Sequence, residues 1–479
     1  MIILILIFSL IIRLISIDQS LWLDEAISVV YATNSSFKYF VTEYPIGDFH
    51  PPGYFAILWI WIKTFGDSEI SVRFPSLVFG VLTILLTFLV GKELFSKKVA
   101  LVASIFLSLA PLHVYYSQEA RMYAFAAFAA ILSTYLLIKL VQFKKYFFVL
   151  YGLSLSLVLY SDYLAYLILP AHFIYIFFYR KKAIKTVLLS YLIAFLLFIP
   201  WLLILPTQLK SGLQTATNVE GWSNIVGGVT LKQILLLPIK IIFGRVGIDN
   251  FSLYIFFGLI FSVPFVFGLY NAIGRKNEKT FLLFMSVFLP IIGAILISFF
   301  VPVFSYFRFV FILPLLYLLL ALGLFQLKET LKKVLIGFMI LTEVYLSFTY
   351  LLNPLFHRED WKEAVDFVTK REFKNTTVVF ENNETLAPFI YYFMKKGSNQ
   401  TLLAGLKSVP ALNVDNVYDF SNLARQGKEI LLFEYLIDVT DPKKLLMKQL
   451  EANGYRKINT YDFRGVGFIY QYKYMEGFQ

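Results

Sequence analysis

Eleven stretches of the chain are apolar over close to the roughly 20 residues that a helix needs to cross a bilayer. They are 1–17, 72–91, 99–114, 121–141, 146–161, 163–179, 186–205, 251–272, 280–301, 307–327 and 334–352. Lipid offers a peptide group no hydrogen-bond partner, so such runs are admissible in a membrane only as helices that satisfy their own backbone. The hydrophobic share of 58%, against about 45–50% in soluble domains, excludes a soluble globular chain. A formal net charge of +12 would suit a nucleic-acid binder, but in a polytopic chain basic residues first mark the cytoplasmic loops. With the N-terminus inside, loops 92–98, 144–145, 180–185, 275–279 and 328–333 hold 15 basic residues against Glu93, Glu278 and Glu329. Loop 18–71 inverts this, with seven acids and two lysines. The asymmetry predicts a multi-pass protein of the plasma (cytoplasmic) membrane with its N-terminus cytoplasmic and its C-terminus outside, and no nucleic-acid partner. Residues 1–17 lack a basic leader and a small-residue cleavage site, which reads as a retained helix. With no cysteine, disulfide and thiolate chemistry are excluded.

The same topology decides two ambiguous segments. Counting 50–66 as a span would flip every later basic loop to the outside, so Tyr54 to Ile62 is expected as an interfacial helix, with Trp59, Trp61 and Lys63 at headgroup level. Residues 231–244, short and interrupted by Pro238, read the same way. The outer loop 206–230, with Gly221, Gly227 and Gly228, is expected to be a flexible lid. From Asn353 charged residues become frequent. A helix at 360–370, strands at 376–381 and 429–435, a helix at 441–454 and alternating strands to the end predict a small extracytoplasmic α/β domain. The expected division is 1–352 for the membrane domain, including the outer loop 18–71, and 353–479 for the soluble one. Sequons at Asn34, Asn250, Asn375, Asn383 and Asn399 all fall on the expected outer side.

Carboxylates beside a bilayer are costly unless water or a partner solvates them. Loop 18–71 carries Asp18, Asp24, Glu25, Glu43 and Asp48 in its stretch from Asp18 to Gly53, with Asp24 taken as the centre of a wet cavity. Four polar spots share its expected side: RFP (73–75), HVYYSQEARMY (113–123), SDY (161–163) and SYFRF (305–309). They bring Arg73, Arg121 and Arg308 with Glu119 and Asp162. Guanidinium forks hold phosphate bidentately, and a carboxylate can take a proton from an incoming nucleophile. Each residue also has a plain structural use. An arginine at a span end reaches headgroups, Glu119 can pair with Arg121 and start a helix, and Asp162 and Asp24 can cap helices. Pro51 holds His50 extended, and His113 and His172 suit packing inside spans.

The segments LWLDEA (21–26), HPPGYF (50–55), GDSEISVRFPSLVFG (66–80), YYSQEARMYA (115–124), YFRFVFILPLLYLLLALGL (306–324) and DWKEAV (360–365) occur in an order that resembles a known family. It is that of the bacterial and archaeal relatives of the protein O-mannosyltransferases, GT-C glycosyltransferases akin to the lipid A aminoarabinose transferases. The resemblance implies a polytopic α-helical GT-C-like membrane protein of about eleven spans with a C-terminal extracytoplasmic α/β domain. It also implies an active site facing outside and a sugar donor on a polyprenyl phosphate, undecaprenyl or dolichyl. By the same resemblance Asp24 is the catalytic acid of the first loop and Glu25 its partner. His50 with Pro51 and Pro52 is the His-Pro-Pro segment, Arg73 faces the donor phosphate, and Arg13 matches a further arginine. No sugar-binding trefoil repeat lies between the spans, so a protein acceptor is in doubt beside a glycolipid or polysaccharide.

The reaction expected from these parts is a single, inverting displacement. Asp24 takes the acceptor hydroxyl's proton, Arg73 with Arg121, Arg308 and Arg13 steadies the departing phosphate, and Glu25, His50, Asp48, Glu119 and Asp162 orient the acceptor. Electrostatic positioning does most of the work, and a divalent metal is an open option with no ligand set to name. The competing reading is a flippase for polyprenyl-linked glycans. Transporters place polar groups near the bilayer midplane in broken helices of repeated halves, whereas here they crowd one side and no inverted repeat is visible.

Overall fold

The structure is a computed structural model, and it describes residues 1–218, 227–247, 250–274, 277–370, 373, 376–380, 386–396, 429–441 and 443–475. Gly221 of the expected lid and the sequons at Asn375, Asn383 and Asn399 lie outside them. The chain forms two compact units. One contains Met1–Ile17, Ser35–Ala216 and Ser223–Phe356, and the other Asp18–Asn34, Thr217–Trp222 and His357–Gln479. Residues 18–34 therefore fold with the C-terminal segment, although they precede most of the apolar helices.

Among the described residues the first unit is mostly helical, and each expected span overlaps helical residues. Seven helices among the described residues are long and apolar enough to cross a membrane: Glu69–Leu94, Tyr123–Gln142, Lys181–Leu202, Ser252–Tyr270, Glu278–Ile297, Tyr306–Leu324 and Glu329–Leu352. Ile2–Leu14, Phe148–Leu159 and Leu164–Tyr179 are shorter apolar helices. The stretch expected as one span at 99–114 is two helices, Lys97–Leu109 and Pro111–Ser117, bent by 62°. Pro111 has no N–H to continue the ladder and pushes Ala110 (ψ 117°) out of the helical region. The expected lid also begins as a helix, Leu205–Asn218.

Leu313–Leu324 is buried along its whole length. Only 17% of the 252–270 span is buried, against 89% of the 306–324 span, so the latter is the axis around which the unit packs and the former faces lipid. Small residues bring the two together. A Cβ on Gly323 would lie 1.8 Å from the Pro264 carbonyl and 2.8 Å from the Gly268 nitrogen. With lipid on both sides, close backbone approach of this kind is what holds helices together. Buried polar side chains add stitches. Gln118 donates to the Arg13 and Ile15 carbonyls (3.0 and 2.7 Å), and Tyr350 donates to Gln118 Oε1 (2.9 Å). His172 sits between Thr134 Oγ1 (3.1 Å) and the Tyr151 hydroxyl (3.0 Å), a satisfied packing residue.

The second unit has a four-stranded sheet of order β1-β2-β4-β3, with β1 Thr376–Phe380, β2 Glu429–Phe433, β3 Tyr455–Phe463 and β4 Gly467–Tyr474. β1 and β2 are parallel, and the other pairs are antiparallel. Both expected strands and the helices Trp361–Val368 and Leu445–Ala452 are present. One face buries Val379, Ile430, Leu432, Leu446, Leu450 and Tyr472. The other stacks Trp361, Phe380 and Phe433 beside the helix Ala387–Lys395, against which the helix Leu23–Asn34 packs.

The Gly323 contact generates a direct test. Gly323→Ala should cost about 1–3 kcal/mol through overpacking and lower the melting temperature in detergent. Gly337→Ala, where a Cβ meets nothing within 4 Å, should leave it unchanged.

Candidate active site

The segment 44–53 makes a compact turn. The helix Tyr44–Asp48 ends in Phe49 with a left-handed backbone (φ 65°), which reverses the chain and sets Asp48 beside His50. His50 Nδ1–H donates to Asp48 Oδ1 at 2.7 Å, and Arg121 grips the same carboxylate with both nitrogens, NH1 to Oδ2 at 2.6 Å and NH2 to Oδ1 at 2.9 Å. Burial alone would raise the Asp48 carboxyl. The Arg121 charge and the His50 hydrogen bond more than reverse this and hold it well below the usual carboxylate range. His50 Nε2 is buried and without a hydrogen-bond partner among the described residues.

The turn is fastened from two other helices. Gln208 Nε2 donates to the Pro45 and His50 carbonyls (2.5 and 3.2 Å), and its Oε1 accepts from the Tyr163 hydroxyl, which also receives Trp201 Nε1 at 3.1 Å. Gln208 lies in the segment expected as a lid, so that segment's first half is an anchor. Gly53 N–H donates to the Tyr160 carbonyl at 3.0 Å, and a Cβ on Gly53 would lie 2.5 Å from that oxygen. The glycine of the His-Pro-Pro-Gly run thus joins the expected SDY spot. There Asp162 Oδ1 accepts Leu164 N–H (2.8 Å), the capping role foreseen for it, while the buried Oδ2 has no partner among the described residues.

A second cluster was not foreseen. Arg245 follows Gly244 at the end of the helix Leu231–Phe243. Its guanidinium lies 4.9 Å from the Tyr115 ring centroid and donates to the Tyr115 hydroxyl. Tyr115 chiefly, and also Tyr116, Tyr306 and Glu119, strengthen its hold on the proton. Lys240 lies 5.8 Å from the Tyr306 ring, and its ammonium is weakened first by burial and then by Arg245 itself. Lys240 and Arg245 place two cations beside Tyr306 and Tyr115, with Glu119 close enough to act on Arg245. Glu119 thus belongs with this patch. The available signal was a cation just past a helix-ending glycine, which ordinarily reads as a cap.

The remaining arginines are dispersed within the same unit. Arg73 is fully buried and donates to the Ile17 carbonyl at 2.7 Å. Arg308 is half-buried with its guanidinium 6.0 Å from the Phe307 ring centroid. Arg13, also fully buried, donates to Ser9 Oγ (2.6 Å), the Ser108 carbonyl (3.1 Å) and His113 Nδ1 (2.7 Å), contacts that tie the first helix to the bent pair.

Asp24 and Glu25 belong to the other unit, in the first turn of the helix Leu23–Asn34. Asp24 is half-buried, and its carbonyl accepts from Ser28 Oγ (2.8 Å). Glu25 is fully buried, with its Oε2 3.6 Å from Arg358 Nε. No group of three or more His, Cys, Asp or Glu among the described residues is arranged to hold a metal ion.

A family model described as dolichyl-phosphate-mannose-protein mannosyltransferase matches residues 49–204, about a third of the chain, and no curated protein matches by sequence. Among solved structures, ArnT from Cupriavidus metallidurans bound to undecaprenyl phosphate superposes with a TM-score of 0.64 at 13% identity, over 100% of this chain and 99% of that one. The Archaeoglobus fulgidus oligosaccharyltransferase in complex with Zn and sulfate gives 0.55 at 13%, over 97% and 72%. The arabinofuranosyltransferase AftD from mycobacteria gives 0.56 at 12%, with 98% of this chain covering 39% of that one. The chain therefore has the GT-C fold of membrane glycosyltransferases and resembles ArnT over its full length.

Breaking the Asp48 grip should be costly. Asp48→Asn leaves a buried guanidinium without its counter-charge and should lose about 3–5 kcal/mol at pH 7. The lowered native pKa means that below pH 4 the unfolded chain binds the proton first, so the pair's stabilisation disappears on acidification. In thermal melts the wild type should lose stability as pH falls below 4, and Asp48→Asn should show a flatter profile there.

Proposed function

We propose that this chain is a multi-pass glycosyltransferase of the plasma membrane. It moves a sugar from a polyprenyl-phosphate carrier, undecaprenyl or dolichyl, to an acceptor hydroxyl on the outer face, with inversion. The observation that carries the reading is the Lys240–Arg245 patch, a paired-cation site built on a fold whose ArnT representative holds undecaprenyl phosphate. The charge asymmetry of the loops supports the outward orientation, with the C-terminal domain on the same side.

Asp24 accepts the proton of the acceptor hydroxyl as its oxygen bonds to the anomeric carbon. The carbon–oxygen bond to the carrier breaks on the opposite face, and the electron pair leaves with the polyprenyl phosphate. Arg245 and Lys240 neutralise the leaving phosphate, a charge-assisted role that preorganised cations fill without moving, while Arg73 and Arg308, dispersed from this patch, are not part of it. Arg121 contributes by fixing Asp48 and His50, and His50 Nε2 orients the incoming hydroxyl. Glu119 and Asp162 complete the polar lining, and Glu25 sets the position of Asp24. Glycolipid, polysaccharide and protein hydroxyls all meet the chemical requirement for an acceptor.

The test is a transfer assay with the purified protein, offering undecaprenyl-phosphate-linked mannose, arabinose and aminoarabinose in turn and measuring released undecaprenyl phosphate. One donor should be consumed. A flippase would release none, and failure with all three donors and their dolichyl counterparts would end the proposal. Asp24→Asn should fold normally and lose at least a hundredfold in turnover, and near-normal rates in that variant would remove it as the base. Arg245→Ala should weaken undecaprenyl phosphate binding at least tenfold, equivalent to about 1.4 kcal/mol.

A further inference from the structure

The C-terminal segment reaches residues 19–25 through a dense set of contacts. Arg358 N–H donates to Gln19 Oε1 (3.1 Å), Lys362 N–H to Ser20 Oγ (3.0 Å) and Leu21 N–H to the Tyr392 hydroxyl (2.8 Å). Arg358, itself buried, faces the fully buried Glu25 carboxylate at 3.6 Å. Glu359 accepts Trp361 Nε1–H at 2.8 Å and the Tyr435 hydroxyl at 2.9 Å. Its carboxyl also takes the backbone N–H of Leu23 and lies near Asp24. Leu23 is the first residue of the helix that carries Asp24 and Glu25. The N–H groups of a first turn have no partner within their own helix and are normally capped by a neighbouring side chain. Here the cap comes from a residue more than 300 positions away.

We propose that Arg358 and Glu359 are positioning residues for the reaction: a clamp in which Glu359 caps the helix bearing Asp24 and Arg358 anchors Glu25. The C-terminal domain then holds the catalytic loop in its working geometry, a role beyond packing or recruitment of an acceptor. This rests on the assignment of Asp24 as the base. Two features support the geometry. Burial raises the Glu359 carboxyl to about 7, with the Trp361 and Tyr435 hydrogen bonds opposing, so a neutral amide is a close substitute for it. Gly465 (φ 75°) packs its α-carbon face on Glu359, where a Cβ would lie 3.0 Å from Glu359 Cα and Cγ, so the backbone there is held closely.

The experiment compares Glu359→Ala, Glu359→Gln and Arg358→Lys with wild type in the full-length protein, reading amide hydrogen exchange of residues 19–27, polyprenyl phosphate binding and turnover. Glu359→Ala should speed exchange in 19–27 at least tenfold and lower kcat at least tenfold, with donor KM and polyprenyl phosphate affinity within twofold of wild type. Glu359→Gln should recover kcat to within threefold. Unchanged exchange in Glu359→Ala would overturn the clamp, and faster exchange with wild-type kcat would overturn its part in the reaction. If Glu359→Ala does not fold, Arg358→Lys must show the same split, faster exchange and lower kcat with unchanged KM, or the proposal falls. Normal turnover in Asp24→Asn would instead discredit the base assignment, and the exchange arm would still decide whether the clamp exists.

Discussion

A charge removed from water has to be met by another charge or by hydrogen bonds, and three buried groups of this chain are met in that way. Arg121 meets Asp48 through two short hydrogen bonds. Arg13 is surrounded by a hydroxyl, a carbonyl and an imidazole, and Glu25 faces Arg358. Each pairing joins segments distant in sequence, so the same requirement that makes burial tolerable also ties loop to helix. The apolar spans supply volume and length. The pairs decide which loops are brought to which helix ends, and hence where chemistry can occur.

Much of the fold was legible because its signals are local. Apolar length and loop charge place the helices, and short runs of β-branched or apolar residues bounded by polar segments place β1 and β2. The bend at Pro111 was also written in the sequence, since proline breaks a helix within one turn, but a continuous apolar run from 99 to 114 masks it. The helix Leu205–Asn218 was missed because its apolar stripe is thin, only Leu205, Leu209 and Leu213 in register. Three glycines downstream made the whole stretch look like a loop.

The site divides along the same line. Asp48, His50 and Arg121 could each be singled out as polar residues beside apolar spans, but nothing in the spacing says that Arg121 touches the other two, since it lies 71 residues from His50 and 73 from Asp48. Arg245 was invisible for a different reason: a lone cation after a glycine is common, and its meaning comes from Tyr115, 130 residues away. Arg358 and Glu359 precede the DWKEAV run that carries part of the family resemblance, yet they reach residues 19–25 near the other end of the sequence. Local chemistry names candidates, and long-range pairing assigns their roles.

That pairing has a consequence for how the protein is made. The segment 18–34 leaves the ribosome early, while the strands and helices it packs with follow only after all the apolar helices have been synthesised. Closing a loop of 339 residues between Gln19 and Arg358 carries a modest, logarithmic entropy cost, but it cannot occur before residue 358 has been synthesised. Until then residues 18–34 lack the helices and strands they pack with in the second unit. The pairing of residues 18–34 with segments beyond 356 thus sets the order in which the second unit can form.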